Sequence, residues 1–383
     1  MSWRKIWSPT SALALTGVLF GFLATWLVRA GNPGNMGFCA ACFLRDIAGA
    51  LGLHRAAPVQ YLRPEIIGLL LGSFASALIF REFRARGGSS PLLRFFLGAL
   101  VMIGALIFLG CPIRLYLRLA GGDWSALAGL AGLAGGVAVG VLFLKRGFSL
   151  GRASAQPTAN GLLLPLFAVA LLLLALWSPV FNPQAGGPIF ASTSGPGAAR
   201  APLLLSLGAG LLLGVLAQRT RFCAIGGLRD LMLLGDRHLL WGTLGLLGGA
   251  LAGNLVLDQF HPGFFGQPVA HNDWLWNLGG MSLVGLGGVL LGGCPLRQMV
   301  LSSEGDADAG AAVLGMLAGA AVAHNFSLAS SPQGASAYGP WAVVLGLLLL
   351  IGLGLILSTR KKDVLYEAGP AGTGLPLSPH ADH

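Results

Sequence analysis

Long apolar runs recur from one end of the chain to the other. Ala12 to Val28, Ile66 to Phe80, Leu92 to Leu109 and Val343 to Leu357 are four of them, each close to the roughly 20 residues that a helix needs to cross a bilayer core. A soluble enzyme has no use for such a series. Only 10% of the 383 residues are charged and the mean hydropathy is +0.75, whereas an ordinary globular domain is about a quarter charged. The expected fold class is therefore an all-α polytopic membrane protein. Its 60 glycines fit that class, because small residues let membrane helices approach closely and occur more often there than in soluble helices. The N-terminal run Ser11 to Val28 follows Arg4 and Lys5 but exceeds a typical signal-peptide core and lacks a small-residue cleavage site. It is expected to be the first membrane helix.

Ten long spans are predicted, at 11–28, 64–81, 92–110, 123–144, 161–179, 201–218, 238–257, 275–293, 309–326 and 340–358. Phe38 to Leu53, Ile113 to Ala120, Phe222 to Gly235 and Leu296 to Ser303 are too short or too broken by glycine to span. They are candidates for re-entrant half-helices, which membrane depth tolerates only inside protein or beside a cavity. Lysine and arginine in short loops favour the cytoplasm. Arg4 and Lys5, then Arg81, Arg84, Arg86 and Arg94, then Lys145, Arg146 and Arg152, then Arg360, Lys361 and Lys362 fall on one side. The loops Phe181 to Ala199, Asp258 to Asp273 and Ser327 to Gly339 contain neither residue. Arg29, Arg55 and Arg63 run against the trend, but the balance puts both termini in the cytoplasm. The net charge of +10 is this bias plus arginines beside the motifs, and implies no nucleic-acid partner.

A duplication organises the runs. "GFCAACFLRD" at Gly37 to Asp46 returns as "RFCAIGGLRD" at Arg221 to Asp230, 184 positions later, and "GCPIR" at Gly110 to Arg114 returns as "GCPLR" at Gly293 to Arg297 at an offset of 183. Each copy holds five long spans, and an odd number reverses the second copy. The expected organisation is a first transmembrane repeat over 10–180, a connecting loop at 181–200, a second, inverted repeat over 201–358 and a disordered cytoplasmic tail over 359–383. In inverted repeats, substrates bind near the midplane where interrupted segments of the two halves meet.

Those segments and the residues just before them carry all five cysteines: Cys39, Cys42, Cys111, Cys223 and Cys294. Four form repeat-related pairs, and Cys42 stands opposite Gly226. A free cysteine is ordinarily a small buried hydrophobe, but placement at helix breaks favours a role in binding. A structural metal is not expected, since the zinc patterns require a second Cys pair or closely spaced histidines, and His54, His238, His261, His271 and His324 stand apart in the sequence. No cofactor is expected. Cys39 and Cys42 also form a C-x-x-C, which permits thiol-disulfide exchange.

Arginines recur beside the thiols. Arg45 and Arg229 precede Asp46 and Asp230, so a local ion pair accounts for them as well as function does. Arg114 and Arg297 have no adjacent acid and look like anion attractors. If each CP phrase opens a short helix, its N-terminal amides add positive potential, and proline suits that first turn. Thiols are polarisable weak donors. The combination suits a small anion with an exposed sulfur or selenium, such as thiosulfate. Met36, Met102, Met281 and Met299 either extend the soft lining or simply fill space.

At these residues the chain resembles the YeeE/YedE family of membrane transporters, which includes thiosulfate permeases and members linked to selenium metabolism. The resemblance covers nearly the whole chain. It implies an hourglass-shaped helical pore with short helices pointing to its waist, in which Cys39, Cys111 and Cys294 match the path cysteines and Cys111 is central. The phrase "NPGNMGFCAACFLRD", with Cys42, looks more like the selenium-associated branch. The family also implies a partner, a small cytoplasmic sulfur-carrier or selenium-pathway protein, and a location in the cell inner membrane.

The leading expectation is thus uptake of a small sulfur- or selenium-containing anion, with Cys39, Cys111, Cys223, Cys294, Arg114, Arg297 and Cys42 along the path. The alternative is a membrane-embedded sulfurtransferase or thiol-disulfide oxidoreductase using Cys39 and Cys42 or a persulfide on Cys111. Symmetry separates them, because a one-sided catalytic site needs no copy. No nucleotide fingerprint, haem signature or repeated histidine base accompanies the cysteines. An aquaporin-like neutral pore would need neither four symmetric thiols nor paired arginines.

Overall fold

A computed structural model of the chain describes residues 9–177 and 188–367, with side chains described to Ser358 at the C-terminal end. Arg4, Lys5, positions 178–187 of the expected connecting loop, the side chains of Arg360, Lys361 and Lys362, and the tail beyond 367 lie outside the described residues. The first half contains α1 (Pro9–Arg29), α2 (Ala40–Ala50), α3 (Pro64–Ile79), α4 (Pro91–Phe108), α5 (Pro112–Ala120), α6 (Ala126–Lys145) and α7 (Thr158–Leu176). The second contains α8 (Leu203–Thr220), α9 (Gly226–Leu234), α10 (His238–Val256), α11 (Trp274–Leu291), α12 (Pro295–Ser303), α13 (Ala307–Asn325) and α14 (Gly339–Glu367). Among the described residues, ten helical segments are long and apolar enough to cross a membrane. The chain is an all-α, multi-pass membrane protein. The last helix runs nine residues past the expected start of the tail, to Glu367.

Four helices fall short of a span. α2 has 11 residues and α5, α9 and α12 have 9 each, which at about 1.5 Å per residue covers roughly half of a bilayer core. Their starts are written locally. α4 stops where Leu109 turns left-handed at φ 62°, and α11 stops at Gly292 with φ 92°. After one more glycine the chain restarts at Pro112 and Pro295, each in the first helical turn, where the missing N–H costs nothing.

The two halves interleave. The closest helix partners are α1 with α10, α3 with α8, α4 with α13 and α6 with α11, every one a pair across the halves. Glycine makes the approach possible: a Cβ on Gly17 of α1 would lie 2.0 Å from the Gly242 carbonyl oxygen of α10, and one on Gly132 of α6 equally close to that of Leu278 of α11. α4 also crosses α11, its counterpart in the duplication. There Gly104 meets Gly280 while Val101 meets Gly287, so residue numbers rise along one helix as they fall along the other and the two run antiparallel.

Two loops reach across as well. After α3, Arg84 and Arg86 donate their backbone N–H to the carbonyls of Glu304 and Gly305 at the end of α12. After α10, His261 and Gly263 donate to Gly121 and Gly122 at the end of α5. The first of these loops carries a short strand, β1 (Arg86–Gly87), paired antiparallel with β2 (Ser154–Ala155). Leu163 and Leu166 of α7, Leu204 of α8 and Leu345 and Leu348 of α14 are exposed and supply a lipid-facing surface. α2, α4, α5, α11 and α12 form the interior, which is where the cysteines lie.

Candidate functional site

The first thiol cluster is assembled from the starts of two short helices. Cys39 caps α2, its Sγ accepting the Cys42 backbone N–H at 3.3 Å. Cys111 occupies the same position before α5, and the two Sγ atoms are 3.7 Å apart. The Sγ of Cys42 lies 3.7 Å from the Leu109 carbonyl oxygen, which the left-handed turn exposes. All three thiols are buried. Gly37 permits this placement, because a Cβ there would stand 1.7 Å from the Ala24 carbonyl oxygen of α1.

Arg114 supplies the charge. Its guanidinium donates to the carbonyls of Leu109, Asn35 (3.1 Å) and Val269 (2.9 Å), and Nη1 lies 3.6 Å from the Cys42 Sγ. Among the described residues no carboxylate pairs with it, although its side chain is wholly buried. Carbonyl oxygens satisfy the N–H groups but leave the positive charge uncompensated. The neighbouring cations differ. Arg45 and Arg63 both grip Asp46 at 2.7 Å, and Arg118 grips Asp123 at 2.6 Å. The local Arg45–Asp46 pair expected from sequence is present, with Arg63 as an unforeseen third member.

The second cluster repeats the plan with one thiol fewer. The Sγ of Cys223 accepts the backbone N–H of Gly226 at 3.3 Å and that of Cys294 at 3.5 Å, and Cys294 precedes α12 as Cys111 precedes α5. Gly226 stands where the first cluster has its third cysteine, with the Leu239 methyl 2.7 Å from where a Cβ would be. This cluster opens onto a cavity of about 390 Å³ lined by Cys223, Arg221, Arg229, Arg297, Asp230 and His238. Arg229 pairs with Asp230 at 2.7 Å and Arg297 with Glu304 at 3.4 Å. Arg297 has no adjacent acid in the sequence, but the turn after α12 brings Glu304 back alongside it, seven residues on. Arg114 alone of the two keeps an uncompensated charge.

The clusters share a wall. Phe38 and Phe222, which precede Cys39 and Cys223, both contact the Phe20 ring of α1, with ring centroids at 5.1 and 5.7 Å. Tyr116 of α5 is buried in the same interior. Sequence reading passed over Tyr116 because the duplication puts Met299 in its place, and a search for repeated residues discards such positions. His54 and His324, far apart in the sequence, meet in the fold, their rings 4.5 Å from each other. Among the described residues no group of three metal-ligating side chains forms. Met36, Met102, Met281 and Met299 are buried in the core.

The arrangement is chemically suited to hold a soft anion: polarisable sulfurs at helix N-termini, with fixed positive charge nearby. Residues 1–139 and 219–371 match the model of the family described as sulphur transport. The chain belongs to this family. This is the YeeE/YedE family that the doubled cysteine phrases resemble. A stretch of 103 residues is also 32% identical to the thiosulfate transporter TsuA of Escherichia coli (strain K12), covering 27% of this chain and 29% of that protein. The two segments matched by the sulphur transport family contain all five cysteines, Arg114 and Arg297.

Proposed function

We propose that the chain is a permease that takes up thiosulfate or a closely similar sulfur- or selenium-containing anion along Cys39, Cys111, Cys223 and Cys294. Arg114 attracts the anion and Arg297 assists at the open cavity. The observation that carries this reading is Arg114, a buried guanidinium with no carboxylate partner among the described residues, beside three thiols. An uncompensated buried charge is expensive, and an anionic cargo would repay that cost on arrival. The thiols present a weakly donating, polarisable face, which suits a terminal sulfur or selenium better than a shell of hard oxygens. Cys42 adds a third sulfur to the first cluster, and its phrase supports a selenium compound as the second candidate cargo.

The halves act as inverted repeats, 10–180 and 201–358, about a connecting loop at 181–200. The antiparallel crossing of α4 and α11 and the reciprocal pairing of the other long helices support this reading. With both termini on the cytoplasmic side of the inner membrane, the cavity at Cys223 faces the cytoplasm and the first cluster is closed toward the outside. A cytoplasmic sulfur-carrier or selenium-pathway protein is a natural recipient of the released cargo.

The test is uptake in a host without its own sulfate and thiosulfate importers, supplied separately with thiosulfate, selenite and sulfate. Thiol-dependent uptake of thiosulfate or selenite, but not sulfate, is expected. Stoichiometric release of sulfite from thiosulfate without uptake would instead favour a sulfurtransferase.

A further inference from the structure

Glu65 is a carboxyl group in the protein interior that the thiol path does not use. It lies in the first turn of α3, is fully buried and forms no ion pair among the described residues. Its Oε1 accepts two neutral donors, Asn32 Nδ2 at 2.7 Å and Ser206 Oγ at 3.0 Å, while Oε2 has no partner among the described residues. The same Asn32 Nδ2 donates to the Gly37 carbonyl at 2.9 Å, and Asn32 Oδ1 accepts the Ala201 backbone N–H at 2.9 Å. One amide therefore joins the carboxyl, the turn that places Cys39, and the segment leading from the first half into the second. In the reciprocal helix pair the Gly242 carbonyl packs on Gly17 as the Glu65 carbonyl packs on Gly210, so the position that matches Glu65 is a glycine and this junction exists once.

The surrounding charges are otherwise engaged. From α2, Arg45 and Asp46 are bound to one another and to Arg63. Tyr61, one turn before Glu65, carries Arg200 over its ring. α7 contributes no titratable side chain, α8 only Arg219 at its far end, and Arg297 of α12 is held by Glu304. A cavity of about 890 Å³ lined by Tyr61, Leu62, Arg200 and Ala201 reaches the residues that flank this junction.

We propose that Glu65 is the proton-binding residue that couples anion uptake to proton entry, with Asn32 as the positioning residue that relays its state to the Cys39 turn. The inference rests on the permease reading above. Ionisable side chains within membrane segments recur as proton relays, and an inside-negative potential opposes entry of a dianion unless a cation accompanies it. A proton bound at Oε2 forms an O–H bond and removes the negative charge that strengthens the Asn32 hydrogen bond. The grip on Gly37 then slackens, and the turn carrying Cys39 is free to admit cargo. Loss of the proton on the opposite side restores the grip.

The experiment uses liposomes containing the purified full chain, an internal pH-sensitive dye and labelled thiosulfate or selenite outside. The wild type is expected to acidify the interior as it takes up anion. Glu65→Gln, nearly isosteric, should still take up anion down its gradient, with acidification reduced to that of protein-free liposomes and with no dependence on external pH. Glu65→Asp keeps a carboxyl group and should retain acidification, which separates loss of the titrating group from damage to the fold. Acidification by Glu65→Gln equal to the wild type, or wild-type uptake without acidification, overturns the coupling and leaves the permease standing. A wild type that takes up neither anion overturns both.

Discussion

The Sγ atoms of Cys39 and Cys111 stand 3.7 Å apart, although 72 residues separate them in the chain. Each stands at the N-cap position of a short helix, so two N-termini converge on one pair of sulfurs. Cys111→Ala removes one member of that pair while deleting a single sulfur from the core, which costs about 1 kcal/mol of packing. The protein should remain folded in the membrane, and anion uptake should fall by roughly tenfold or more, equivalent to about 1.4 kcal/mol of lost transition-state stabilisation. Uptake assays paired with membrane-protein yield check this. Cys42→Ala should have a milder effect.

Arg114 and Arg297 occupy the same place in the two CP phrases, yet Glu304 neutralises only the second. Arg114→Gln should therefore depress uptake severely, and Arg297→Gln only severalfold. Initial rates of labelled anion uptake at limiting concentration distinguish the two. Arg114→Lys should not restore the wild-type rate, because an ammonium cannot reproduce the guanidinium's fork to three carbonyls.

Gly37 is confined by the Ala24 carbonyl, whereas Gly208 has no neighbour that an added Cβ would meet within 4 Å. Gly37→Ala should lower the melting temperature in detergent and reduce uptake, with about 1–3 kcal/mol of overpacking. Gly208→Ala should leave uptake unchanged and should not lower the melting temperature, since alanine favours a helix interior over glycine. Thermal unfolding of the two purified variants checks the contrast.

Cys223 borders an open cavity, while Cys39 and Cys111 are sealed. A membrane-impermeant thiol reagent should modify Cys223 from one side only, and far faster than it modifies the first cluster. Mass spectrometry of vesicles of each orientation reads the site and the side. Thiosulfate should slow the modification.

Much of this was legible in the sequence. Apolar length alone marks the ten long helices to within a few residues, because a bilayer core demands that length and little else. The doubled phrases mark the thiols and their arginines, and Pro112 and Pro295 mark where the short helices restart. Contacts between residues distant in sequence were not legible. Nothing in "GCPLR" reveals that Glu304 folds back onto Arg297, since that depends on how the turn after α12 closes. The His54 and His324 rings meet only because α13 packs against α2. Arg63 reads as a loop charge against the topological trend, yet it is buried on Asp46 with its guanidinium over the Phe43 ring. Tyr116 and Glu65 have no counterpart in the other half, so the symmetry that exposes the cysteines conceals them.

The soft-anion path is tested most directly by labelled thiosulfate uptake into liposomes containing the purified wild type or Cys111→Ser, with sulfate as competitor. Serine preserves size and donor capacity but replaces polarisable sulfur with a hard oxygen. The account predicts that the wild type takes up thiosulfate and is unaffected by sulfate, and that the serine variant loses most of this activity. Equal uptake by the two proteins, or full competition by sulfate, would contradict it.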